Sequence, residues 1–243
     1  MNLVATEPVL SRQNTLLLGF VDAAALSCRC MLGMKSDNSV IRTVDSTAGG
    51  LSVACTSSPS RGNERRGVFP RNDLPLQLVD FQDKKMSAFI INSDIPLEMS
   101  ARMANDLVTF LRLNCVQWLI VPVALNGFQG RERIYEVALF SDKVTDYPDL
   151  PTDEPLHDEF LSKLIQLLQV ERLKTTFLVA PSFHITDTTD SNADGNKLHI
   201  IDAMQQAITS LTRIEFDLQQ SGQLNYEVNS AQSRSLSYMD LYT

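Results

Sequence analysis

VQWLIVPVA, residues 116–124, is apolar at almost every position and carries no charge. A strand with one wet face alternates apolar and polar residues, and this stretch does not. It predicts a central strand covered on both faces, which requires layers of other elements above and below it. The segment just before it supplies one such cover. In SDIPLEMSARMANDLVTFLRLN (93–114), Met99, Met103, Leu107, Phe110 and Leu111 recur at helical spacing, so one face of a helix packs on a core. Asp94 is the expected N-cap, with Pro96 in the first turn.

Further out the pattern stays regular. LQLVDF (76–81) and MSAFIIN (86–92) are separated by the turn-like QDKK and read as a hairpin. TLLLGFV (15–21), LSVAC (51–55), IYEVALF (134–140) and TTFLVAP (175–181) are short strand candidates. HDEFLSKLIQLLQVERL (157–173) is an amphipathic helix, with Leu161, Leu164, Ile165 and Leu168 inward and acidic residues in its first turn. KLHIIDAMQQAITSLTRI (197–214) is another, lined by Ile201, Met204, Ile208 and Leu211. Two stretches gather turn residues and charge: SSPSRGNERRGVFPRND (57–73) reads as a solvated, disordered loop, and TDYPDLPTDEP (145–155) as a connection. The expected fold is a layered α/β/α domain over residues 1–220, with a central mostly parallel or mixed sheet of four to seven strands and about three helices. Residues 221–243 show no period and read as a C-terminal tail.

Composition narrows the function classes. The chain has 243 residues, a formal net charge of −8 and a pI near 4.9, which disfavours phosphate-backbone and anionic-membrane binding. Such a charge permits docking on a basic protein surface. No stretch approaches the roughly 20 apolar residues of a membrane span, and MNLVATEPVL lacks a signal peptide's basic start and apolar run. Cys28, Cys30, Cys55 and Cys115 form no CxxC pair, and buried free thiols in a reducing, cytoplasmic setting that extends to the nucleus are expected.

Catalytic and ligand motifs are weak. DSNADG (190–195) opens like a calcium loop, with Asp190, Asn192, Asp194 and Gly195, yet the position of the bidentate glutamate holds Ile201. An Asx-rich turn ahead of a helix is the expected structure there. His157, His184 and His199 have no partner at metal-ligand spacing. Ser182, His184 and Asp187 share one loop, but neighbours in a loop rarely converge and no GxSxG elbow is present. NGFQGRER (126–133) is Gly-rich without being a phosphate loop, and Trp118 is expected in the core. No cofactor or metal is expected, and the chain is not read as an enzyme.

The last residues, Leu241-Tyr242-Thr243, stand apart. By composition an apolar residue followed by a penultimate tyrosine arises in about one chain in a hundred. A flexible tail ending this way offers an apolar side chain, an aromatic hydroxyl and a carboxylate together, which one pocket could read. This triplet looks like the hydrophobic–Tyr–any-residue motif that inserts between α subunits of the proteasome core particle. The body resembles the proteasome assembly chaperone family, in particular the first subunit of the assembly chaperone heterodimer. The likeness is carried by MSAFIINSDIPLEMSARMANDLVTFLR (86–112), VQWLIVPVAL (116–125) and FLVAPSFH (177–184). It implies an α/β fold distantly similar to nucleoside phosphorylases without their catalytic apparatus. It also implies a heterodimer with a second, related chaperone, bound to the proteasome α ring, with Leu241, Tyr242 and Thr243 as the partner-binding residues. The alternative is a small-molecule hydrolase or phosphorylase-like enzyme with ligands at loops 125–133 or 181–195.

Overall fold

Both faces of each core strand are apolar, so the sheet buries twice. In β1 (Thr15–Phe20), Leu16, Leu18 and Phe20 enter one core and Leu17 enters the other. β7 (Trp118–Leu125) divides its side chains in the same way, with Leu119, Val121 and Val123 on one side and Ile120 and Ala124 on the other. The uniform apolarity of 116–124 thus has the physical cause expected of it. The computed structural model describes residues 15–22, 25–35, 39–47, 50–53, 70, 74–81, 83–125, 133–151, 158–181 and 191–223.

Six more strands complete the sheet: β3 (Ser39–Thr47), β4 (Gly50–Val53), β5 (Leu76–Phe81), β6 (Met86–Ile91), β8 (Tyr135–Leu139) and β9 (Lys174–Pro181). Their order is β4-β3-β5-β6-β1-β7-β9-β8. The pairs β6–β1, β1–β7 and β7–β9 are parallel, while β3–β4, β3–β5, β5–β6 and β8–β9 are antiparallel, so the sheet is mixed. A separate two-stranded ribbon pairs β2 (Met34–Lys35) with β10 (Glu215–Phe216).

Helices cover both faces, giving the α/β/α layering. α2 (Leu97–Leu113) and α3 (Glu159–Glu171) lie on the first core, where Phe20 meets Phe160 edge-on at 5.1 Å. α1 (Leu26–Leu32), α4 (Ser191–Thr212) and α5 (Leu218–Gln223) pack on the second. The inward stripes predicted for α2, α3 and α4 are the faces that pack, with Met99, Ile165 and Leu211 at the partly buried margins.

Several details depart from the sequence reading, beginning with the sheet's eight strands where four to seven were expected. Asp94 does not cap α2: Pro96 occupies the cap position at φ −57° and ψ 145°, without a side-chain cap. A proline disfavours helical backbone in the residue before it, so Ile95 cannot begin the helix and Asp94 lies too far upstream. α4 begins at Ser191, so 191–196 is helix rather than an Asx-rich turn. Polar and acidic residues suit a helix's first turns, where N–H groups lack partners. Cys115 is exposed, because it sits at φ 53° in the tight turn between α2 and β7. Last, α1 and α5 had no visible period: α1 is seven residues long and buried all round.

Gly33 is fixed by close approach. A Cβ there would lie 2.0 Å from Ser221 Oγ and 2.9 Å from the Asp217 carbonyl oxygen. Its own carbonyl accepts from the Asp217 N–H at 2.8 Å, and Gln205 Nε2 donates to Ser221 Oγ at 2.7 Å. These contacts seat α5, whose Ser221 is fully buried.

Candidate functional site

Because β1, β6, β7 and β9 run parallel and in register, the sheet has two chemically distinct ends. Thr15 lies opposite Met86 and Trp118, and Trp118 opposite Lys174, so four strands start in one row. Ligands of open α/β sheets bind beyond the opposite, carboxyl ends.

At that carboxyl end the chain folds around Asp22. It stands two residues beyond the end of β1, and its carbonyl accepts from the Ala25 N–H at 2.9 Å, closing the turn into α1. Its carboxyl group then bridges two elements. Oδ1 accepts from the Ser27 N–H at 3.1 Å, and Oδ2 accepts from the Ala124 N–H of β7 at 2.6 Å. Burial raises the Asp22 carboxyl to about 8, against the pull of those N–H donors, and the Asp158 carboxylate adds to the rise. A general base or nucleophile needs an oxygen aimed at a substrate. Both Asp22 oxygens are instead turned onto backbone, so the group acts as a clasp between β1, α1 and β7.

The neighbouring thiols are equally inward. Cys28 Sγ approaches the Ile91 carbonyl at 3.1 Å and Cys30 Sγ the Ile201 carbonyl at 3.9 Å. Burial, reinforced by Asp22, pushes the Cys30 thiol well up, which keeps it protonated and a poor nucleophile. Among the described residues no cluster of three or more His, Cys, Asp or Glu side chains could hold a metal ion. No helix among them is long and apolar enough to cross a membrane.

A second carboxylate organises the sheet edge. Glu136 of β8 is buried, and its oxygens accept from the Val144 N–H at 2.8 Å and the Thr145 N–H at 2.9 Å, with the Thr145 hydroxyl as a third donor. The Glu136 N–H donates to the Pro148 carbonyl at 2.9 Å, so segment 141–149 straps the outer edge of β8. Covering an edge strand in this way removes a site for uncontrolled pairing.

The remaining sequence candidates separate in space. His199 is exposed on α4, and Arg133 is exposed just ahead of β8. Trp118 is half-buried at the start of β7 rather than deep in the core; its Nε1 donates to Thr176 Oγ1 at 3.0 Å, and Lys174 Nζ stands 4.8 Å from its ring centre. His157, the trio Ser182, His184 and Asp187, loop 126–132, most of 57–73, and Leu241, Tyr242 and Thr243 lie outside the described residues. Asp22 and Glu136 were missed, although each leaves a signal: a lone acid directly after, or inside, an apolar run.

No protein-family model matches this sequence, and no curated protein matches it. Its fold is nevertheless similar to solved structures. A protein of unknown function from Thermoplasma acidophilum has a TM-score of 0.55 at 14% identity, covering 89% of this chain and 84% of that one. Pyrococcus furiosus PbaA, described as an archaeal homolog of proteasome-assembly chaperone, has 0.52 at 11% identity, covering 86% and 81%. PbaB of the same organism, described as an archaeal proteasome activator, has 0.52 at 11% identity, covering 90% and 91%. At these identities the likeness establishes the shared fold.

Proposed function

We propose that this chain is an assembly chaperone of the proteasome core particle. The observation that carries the reading is the fold it shares with PbaA along most of both chains. The triplet Leu241-Tyr242-Thr243 supports it, since this is the chemistry expected of a peptide read by a pocket between subunits. In this reading the chain pairs with a related second chaperone and binds the α ring. Leu241 and Tyr242 fill an inter-subunit pocket, and the Thr243 carboxylate meets a lysine through a charge-assisted contact. The work takes place in the cytoplasm and the nucleus, without cofactor or covalent chemistry.

α5 ends at Gln223, and in this reading residues 224–243 link it to the pocket. Fully extended, twenty residues reach roughly 66 Å, which spans a subunit at an ordering cost met on docking. Affinity purification of the tagged full chain with mass spectrometry tests the reading. Proteasome α subunits and one related chaperone should dominate the catch; a catch without α subunits contradicts it.

A further inference from the structure

The chain's single tryptophan stands where β7 begins, on the face of the sheet that α1, α4 and α5 cover. Trp118 packs on the second core and stays half-buried. Its Nε1 is held by Thr176, and Lys174 Nζ stands 4.8 Å from the ring centre. Among the described residues no carboxylate pairs with Lys174. An aromatic ring and an unneutralised cation thus lie side by side, both partly open to solvent.

The same end of the same face carries a local excess of cations. Lys84 Nζ donates to the Arg213 carbonyl at 2.5 Å, which joins the β5–β6 turn to the end of α4. Two ion pairs neutralise themselves: Lys35 with Asp217 at 3.5 Å where β2 meets β10, and Lys143 with Asp149 at 2.9 Å on the strap beside β8. That leaves Lys84, Lys85, Lys174 and Arg213 against Asp83, Asp142 and Glu215 among the described residues. The balance is slightly positive in a chain whose net charge is −8.

The chain itself supplies an occupant of matching chemistry. α5 is seated on this face, its Leu218 packed on the second core and its Ser221 bonded to Gln205, and residues 224–243 continue from it. Glu227, Asp240 and the terminal carboxylate outweigh Arg234, so this segment is negative, and two of its three negative groups flank Leu241 and Tyr242. A tether of twenty residues holds its end near the domain at an effective concentration on the order of millimolar. A self-contact with a Kd of about 1 mM is then occupied roughly half the time, so a small, shallow patch suffices.

We infer that the C-terminus docks on its own domain here, with the Tyr242 ring against Trp118 and the Thr243 carboxylate at Lys174. Aromatic pairing and a charge-assisted contact supply the two halves of the interaction. This self-contact does not depend on the assembly reading. Where that reading holds, the contact withholds Leu241–Thr243 until an inter-subunit pocket competes for them, and so regulates the tail.

The test is Trp118 fluorescence of the isolated chain, in which no second tryptophan interferes. Three proteins are compared, each with and without 241–243: the unaltered chain, Lys174→Gln and Tyr242→Ala. Removing 241–243 from the unaltered chain should uncover the ring, move its emission to longer wavelength and raise acrylamide quenching by up to about twofold as a half-occupied contact is lost. High salt should bring the unaltered chain toward the truncated one, since half of the contact is a charge pair. In Lys174→Gln and Tyr242→Ala the same truncation should change little, a comparison that cancels any direct effect of a substitution on the ring. Carbodiimide treatment should join the Thr243 carboxylate to Lys174 within one chain, at a rate independent of protein concentration. Identical quenching with and without 241–243 at low salt overturns the self-contact, as do cross-links found only between two chains. Failure of the full chain to bind core particles overturns the assembly reading instead and leaves the self-contact standing.

Discussion

The two ends of the parallel strands are built on opposite principles. At the carboxyl end Asp22 is buried, its two oxygens turned onto the Ser27 and Ala124 N–H groups. At the amino end Leu113, Phe140 and Val170 stand in solvent among cations. An α/β enzyme invests in the first location; the described residues of this chain use it for a structural clasp and place the exposed chemistry at the second. The contrast teaches that a shared layered sheet does not carry a shared site, because side chains at the strand ends decide what the sheet is for.

The comparison breaks most easily at Asp22. Asp22→Ala leaves two buried N–H groups without acceptors, and a loss of about 3 kcal/mol in urea unfolding is expected. A change under about 0.5 kcal/mol would mean the Asp22 side chain is not a clasp. Gly33→Ala is the next largest. The new Cβ meets Ser221 and the Asp217 backbone, so α5 must shift at a cost of about 2 kcal/mol. Limited proteolysis should then cut ahead of residue 218, whereas unchanged protection would show that α5 adapts.

The pH dependence sharpens the same contrast. The folded Asp22 carboxyl titrates near 8, far above its ordinary value of 3.8. In the window between those values the unfolded chain has released a proton that the native state keeps, so stability falls as pH rises. The urea midpoint should decline between about pH 5 and pH 8, and Asp22→Asn should flatten that decline. A slope unchanged by the substitution would assign it to other groups. The smallest stability effect belongs to the amino end: Lys85→Glu/Arg172→Glu/Arg213→Glu should alter the unfolding free energy by no more than about 0.5 kcal/mol. A large loss there would make these cations structural rather than solvent-facing.

Much of this fold was legible in the sequence because its strands and long helices bury continuous stripes. The apolar run 116–124, the 76–92 hairpin and the periodic faces of α2, α3 and α4 all report burial directly. What stayed hidden depends on tertiary context. α1 is buried all round and has no polar face to mark a period. The polar start of α4 imitates a loop, since polar side chains suit both. Neither end of the sheet could be read either. Asp22 and Ala124 are 102 positions apart, and the cations of the amino end come from four separate segments brought together by strand register.

The central claim is that the chain serves proteasome assembly through its last three residues. Binding of the full chain and of a chain lacking Leu241, Tyr242 and Thr243 to purified core particles measures it most directly. The account predicts at least about tenfold weaker binding for the truncated chain with an unchanged unfolding curve, since a few anchors dominate a peptide's contribution. Equal affinity of the two chains would contradict it.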